Sequence, residues 1–141
     1  MKTVAEHLAS VLSVVHTLPG LELGLMDAHG CVLAEDVTAN APLPGFDNSA
    51  MDGYAVRAAE LAGASPTAPV TLPVDGDIAA GDTTRHVLAP GRTMRIMTGA
   101  PMPEGADAIV PVEESDGGTE VAALTLAPEV GRHLRRRAED R

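Results

Sequence analysis

Two stretches of the chain gather the residue types that could do chemistry. In PLPGFDNSAMDGYAVR, residues 42–57, the turn-prone polar residues Asp47, Asn48, Ser49, Asp52 and Gly53 fall within seven positions. Asp47 and Asp52 offer hard oxygen ligands suited to Mg²⁺, which takes one or two carboxylates together with substrate phosphate oxygens. The same composition also describes an Asx-rich turn closing into a strand, with Phe46 and Tyr54 as its hydrophobic plugs. In RIMTGAPMPEGADAIVPVEE, residues 95–114, Thr98 supplies a hydroxyl and Gly99 permits close approach of backbone to a ligand. Successive N–H groups there could form an anion-binding nest, or the segment is a rigid Pro-bracketed connection between strands.

Other chemistries lack their residues. One Cys and five scattered His give no zinc spacing. His7 and His16 are nine apart and read as surface residues; His86 and His133 are isolated, and His29 has only Cys31 nearby. No nucleophile elbow, P-loop or dinucleotide fingerprint occurs, and nothing indicates a covalent nucleophile. The single Cys31 rules out an internal disulfide framework and reads as a small buried hydrophobe in a reducing compartment. No apolar run approaches the roughly 18 residues of a membrane span, and no secretory leader is visible. The expectation is a soluble, cytoplasmic protein.

Charge is unevenly spread. Residues 1–131 hold eighteen Asp and Glu against five Lys and Arg, a balance of −13, whereas the last ten hold five Arg against Glu139 and Asp140. The acidic body argues against nucleic-acid or anionic-membrane binding, since phosphate contacts need basic surface. The basic end is either a solvated terminus or part of a site for an anion.

The elements that must position these residues follow from periodicity. Thr3-Val4-Ala5-Glu6 has the form of a capping box, and Val4, Leu8, Val11, Leu12 and Val15 continue it as one helical stripe, stopped at Leu18-Pro19-Gly20. Leu21, Leu23 and Leu25 alternate with Glu22 and Gly24 as a short strand, and CVLAEDVTA, residues 31–39, reads as a second. Residues 41–45, APLPG, break regular structure, and a domain boundary is expected there. Beyond it, β-like runs at 54–57, 70–74, around 87–88, 93–97, 108–112 and 121–126 alternate with Gly, Pro and Asp. The expected fold is mainly β with an N-terminal α-helix: an arm over residues 1–43 and a compact, mostly antiparallel, mixed β-sheet module over 44–131. Phe46 and Tyr54 are the only aromatic residues, so the core must be aliphatic; bracketing Asp47 and Asp52, both read as anchors for that loop.

The segments PGFDNSAMDGYAVR and RIMTGAPMPEGADAIVPVE resemble the N-terminal part of molybdopterin molybdenumtransferase, the MoeA family that includes the gephyrin E domain. The resemblance runs from the first helix to the last residue. HGCVLAEDV is similar to the family's G-x-V-L-A-x-D-V segment, and EVGRHLRRRAEDR resembles its G-x-N-[IV]-R-x-x-G-E-D stretch. Two departures lie in the latter: His133 stands where the family usually has Asn, and Ala138 where it has Gly. The Ala matters only if that position needs positive φ.

The resemblance implies an enzyme that inserts molybdenum from molybdate into adenylylated molybdopterin with Mg²⁺ assistance and release of AMP. It implies a homodimer whose cleft lies between the β-rich second domain of one subunit and the pterin-binding domain of the other. Residues 132–141 would begin the return to the first domain, with the chain stopping short of the pterin-binding and C-terminal barrel domains. Carried over by motif, Asp52, Thr98 and Asp140 fall on cleft positions, with Asp52 and Asp140 as Mg²⁺ ligands. Gly53, Gly99 and one or more of Arg135, Arg136 and Arg137 fall on substrate-binding ones, and Asp47 is a weaker metal candidate that could simply cap its turn. With half of the composite site missing, the 141-residue chain alone is expected to be inactive. The alternative is a non-catalytic dimerisation or scaffolding module that keeps its loops for structure.

Overall fold

The computed structural model describes residues 2–140, and the chain divides into two units, up to Thr38 and from Ala39 onward. In the first unit, helix α1 spans Val4–Leu12. It starts where expected because Thr3 and Glu6 close a capping box: the Glu6 N–H donates to Thr3 Oγ1 at 3.2 Å and the Thr3 N–H to Glu6 Oε2 at 2.7 Å. The Thr3 N–H, with a contribution from its hydroxyl, holds the Glu6 carboxyl below its usual range. The apolar stripe of α1 is not buried within the unit; Val4 is 88% and Leu12 59% exposed.

The strands expected at 21–25 and 31–39 do not form. A strand needs a neighbour to take its N–H and C=O groups, and this unit supplies none; residues 24–28 instead close a turn through Asp27 and Ala28 N–H bonds to the Gly24 carbonyl. Cys31, expected to be buried, is exposed.

The second unit is built on a five-stranded sheet in the order β5-β2-β4-β3-β6. Its strands are β2 (Gly53–Val56), β3 (Val70–Ile78), β4 (Thr93–Ile96), β5 (Ala108–Pro111) and β6 (Val121–Leu124). β2 pairs antiparallel with both β4 and β5, and β3 antiparallel with β6, while β3 and β4 run parallel. The sheet is therefore mixed and mostly antiparallel. A smaller two-stranded sheet joins β1 (Asn48–Ser49) to β7 (Leu134–Arg135).

Both faces of the large sheet are covered around β2 and β5, which are buried throughout and not merely on alternate residues, whereas β3 is mostly half-buried or exposed. Tyr54, Val56 and Val110 point into one core and Ala55, Ile96 and Ile109 into the other, as the period of two requires. Tyr54, the one aromatic in the core, is fully buried, and its hydroxyl donates to the Gly118 carbonyl at 2.9 Å. Phe46 does not share that role: it is 49% exposed. The buried Thr93 hydroxyl donates to the Ala55 carbonyl, so it costs the core little. The sheet edges are partly covered: Ile109 of β5 donates to the Arg132 carbonyl, and Ala123 of β6 exchanges bonds with Asp116.

Candidate functional site

The three segments singled out by composition converge on one short stretch, residues 47–50. On one side, β1 pairs with β7, Asn48 opposite Arg135 and Ser49 opposite Leu134, and the Ala50 N–H donates to the His133 carbonyl. On the other, the Gly99 N–H donates to Ser49 O at 2.8 Å, Ser49 N–H to Ala100 O at 3.0 Å, and Met102 N–H to Asp47 O at 3.0 Å. Buried Asn48 and Ser49 thus form a central strand with the 98–102 loop and the Arg-rich segment as its neighbours. A two-residue strand has little stability of its own; here it is held from both edges.

Asp52 lies just beyond this strand and Thr98 just beyond β4, and the two meet directly. Asp52 Oδ1 accepts from both the backbone N–H and the hydroxyl of Thr98, each at 2.7 Å. These bonds, the backbone N–H first, lower the Asp52 carboxyl below its usual value. Both residues are exposed. Oδ2 accepts no hydrogen bond from any described residue, which leaves one charged oxygen open to solvent or a ligand. Gly99 completes the turn at φ +80°, where its missing side chain faces open space. Gly53, by contrast, is buried in β2 against the backbone of Val110 and Pro111.

The Arg-rich segment is sorted by its contacts. Asp47 Oδ1 accepts the Arg137 N–H at 2.7 Å and Oδ2 the Arg136 Nη1 at 3.2 Å. The Arg136 N–H donates in turn to Glu139 Oε2 at 2.7 Å. Arg136 is thereby committed at both ends, whereas among the described residues no carboxylate pairs with the guanidinium of Arg135 or Arg137. Asp140 is tied through its N–H to the Leu43 carbonyl, and Ala138 to that of Pro44. Among the described residues no three His, Cys, Asp or Glu side chains converge on a point. The donor set is one of single carboxylates, the kind that holds Mg²⁺ jointly with waters and substrate oxygens.

The departures from the family pattern have a backbone meaning. His133 has φ +56° and Ala138 φ +64°, the left-handed region that Asn tolerates and Gly favours. An Ala there carries the Cβ–carbonyl clash, partly offset because Gly loses more chain entropy on folding. Ala138→Gly is therefore expected to stabilise the return segment by about 0.5–1 kcal/mol. Urea unfolding checks this; an unchanged or lowered midpoint contradicts it.

Sequence reasoning missed Glu139 as the partner that turns the segment at Arg136, although its spacing of three residues was a visible signal. It also took His86 as isolated, whereas His86 Nε2 lies 2.8 Å from Asp82 Oδ2. The Thr84 N–H and then His86 pull the Asp82 carboxyl down to about 2.

Comparisons with known proteins place the chain among relatives. The family model described as the MoeA N-terminal region (domain I and II) matches residues 2–141. Molybdopterin molybdenumtransferase 2 of Mycobacterium tuberculosis is 49% identical over 140 residues, covering 99% of this chain and 35% of the relative. Molybdopterin molybdenumtransferase 1 of the same organism is 36% identical over 156 residues, covering 99% and 36%. The solved structure of the molybdopterin biosynthesis moeA protein from Pyrococcus horikoshii OT3 superposes with a TM-score of 0.76 at 30% identity, covering 84% of this chain and 31% of that one. The chain thus spans about a third of the length of these relatives. Matched along nearly its whole length in sequence and most of it in structure, the chain belongs to the MoeA N-terminal region family.

Proposed function

We propose that the chain acts in molybdenum cofactor biosynthesis, as the N-terminal part of an enzyme that inserts molybdate into adenylylated molybdopterin and releases AMP. The observation that carries this reading is the convergence of the 42–57, 98–102 and 133–140 segments on one strand, with the Asp52–Thr98 pair and an Arg-rich strand as its two flanks. The chain supplies one wall of the cleft, and a second subunit of a homodimer supplies the pterin-binding wall. The exposed apolar stripe of α1 supports packing against surface outside its own unit, as a domain arm in such a dimer would. The protein works in the cytoplasm.

At this wall Asp52 is ionised at neutral pH and presents Oδ2 outward. Thr98 spends its hydroxyl proton on Oδ1, so its oxygen lone pairs can accept from an ordered water. Mg²⁺ would be held by Asp52, with Asp140 as the second carboxylate; when bound, it neutralises charge that develops on the departing phosphate. Gly99 lies beside Thr98 and keeps the wall low there, while Gly53, packed inside β2, supports Asp52 from within. The guanidinium groups of Arg135 and Arg137 bind the anionic substrate by charge-assisted hydrogen bonds.

The test is AMP release and molybdenum insertion from adenylylated molybdopterin and molybdate with Mg²⁺. The full-length protein is expected to turn over, and the 141-residue chain alone is not. Turnover by the isolated chain contradicts the two-walled cleft. No turnover by a folded full-length protein favours a non-catalytic dimerisation or scaffolding module instead.

A further inference from the structure

Asp47 is tied to two segments that lie far from it, and from each other, in the sequence. Its backbone carbonyl accepts from Met102 N–H at 3.0 Å, its Oδ1 from Arg137 N–H at 2.7 Å and its Oδ2 from Arg136 Nη1 at 3.2 Å. One residue therefore touches both the loop that carries Thr98 and the segment that carries the three Arg. Both carboxylate oxygens are committed to donors, and a guanidinium lies beside them. A cation at this point would have to displace Arg136 against its own charge, so the surroundings suit an anchor and not a metal ligand.

The backbone pairing explains what the anchor holds. β7 contributes only Leu134 and Arg135 to its ladder, and the next main-chain ties, from Ala138 to Pro44 and Asp140 to Leu43, come after a gap. Across that gap, at 136 and 137, the bonds to the rest of the unit come from the Asp47 side chain; Arg136 N–H itself turns to Glu139. Without the carboxylate, residues 136–137 have no such fixed point between two short stretches of pairing.

We propose that Asp47 is a positioning residue that holds residues 135–137 in register beside the Asp52–Thr98 pair, and so sets where the Arg135 and Arg137 guanidiniums meet the anionic substrate. This rests on the reading of that wall as part of a molybdenum-insertion site. Asp47 itself touches no substrate. Its loss is therefore felt in substrate affinity and in local order, and not in the chemical step.

The experiment compares Asp47→Ala, Asp47→Asn and Asp52→Asn in the full-length protein by hydrogen exchange over residues 134–140 and by steady-state kinetics. In Asp47→Ala, exchange at the Arg137 amide is expected to quicken by at least about tenfold, because a charge-assisted bond to a backbone N–H is lost. KM for adenylylated molybdopterin is expected to rise about tenfold, with kcat changed by less than about twofold. Asp47→Asn keeps an oxygen for the Arg137 N–H and loses only the exposed ion pair, so its KM is expected to rise about two- to fivefold. Unchanged exchange in Asp47→Ala overturns the proposal, as does a fall in kcat that is equal in the Ala and Asn variants, which would mark Asp47 as part of the chemistry. Should Asp47→Ala fail to fold, Arg136→Ala takes its place with the same two- to fivefold rise in KM expected; no rise in either Arg136→Ala or Asp47→Asn overturns the proposal. Full turnover by Asp52→Asn refutes the reading of the wall, while the exchange result still decides whether Asp47 is the anchor.

Discussion

Asp52→Asn in the full-length protein is expected to leave the fold and its midpoint nearly unchanged while lowering molybdenum insertion by about two orders of magnitude. The two halves of this outcome come from different oxygens. Both Thr98 bonds end on Oδ1, and an Asn side-chain oxygen can still accept them, more weakly than a carboxylate but in the same place. Local geometry therefore persists. At the position of Oδ2, a charged acceptor becomes an NH₂ donor, which cannot hold Mg²⁺. Kinetics alongside urea unfolding separate the two effects: full turnover in a stable variant means that Asp52 has no part in the reaction.

The pair also sets an order between its members. Thr98→Val removes the hydroxyl bond to Asp52 Oδ1 and leaves the backbone one, the first cause of the lowered carboxyl, in place. It should disturb activity less than Asp52→Asn does. The sign of the shift matters for pH as well. A carboxyl depressed in the folded state contributes stability above its unfolded pKa of 3.8 and loses it as pH falls through the lower folded value. Asp52 is thus ionised throughout the neutral range, and a loss of activity between pH 5 and 7 belongs to another group.

What could be read from the sequence was what depends on near neighbours. The capping box at Thr3 and Glu6 acts over three residues and was visible as a pattern. The β-like runs near 54, 70, 93, 108 and 121 became strands because each could find a partner in one sheet. Residues 21–25 have an equally good alternation and stayed irregular, since the ladder they need is absent from their unit. β3 runs on to Ile78 through Asp75, Gly76 and Asp77, against composition, because pairing with Arg95 and Ile96 of β4 outweighs a weak local preference. At the site, the motifs marked which loops mattered but not how they join. Asp47 lies 89 and 90 residues from its Arg partners, a distance over which spacing carries no information. Phe46 and Tyr54 look alike in composition, and only packing separates a buried anchor from a half-exposed ring.

Gly53→Ala is expected to destabilise the second unit by about 3 kcal/mol, a large share of the roughly 5–15 kcal/mol that holds a domain of this size together. The motif places Gly53 next to Asp52, so a role in substrate approach and a role in packing predict the same residue. The geometry separates their consequences. Gly53 sits in β2 between Ile96 of β4 and Pro111 of β5. A Cβ there would run into the Val110 carbonyl oxygen and come within 2.9 Å of the Pro111 Cα, and all of this is backbone in a paired strand. No side chain can swing aside; relief requires β5 to move away, which strains the β2–β5 ladder from Gly53 to Val56 and the cores on both faces. Gly99→Ala provides the contrast. Its Cβ meets nothing within 4 Å, and the cost is the left-handed φ of +80°, about 1 kcal/mol. Urea unfolding of the two variants therefore ranks them, with Gly53→Ala much the worse. A Gly53→Ala protein as stable as the parent would mean that β2 and β5 are not packed as closely as this ladder requires. In that case the glycine is to be explained by what approaches Asp52 from outside.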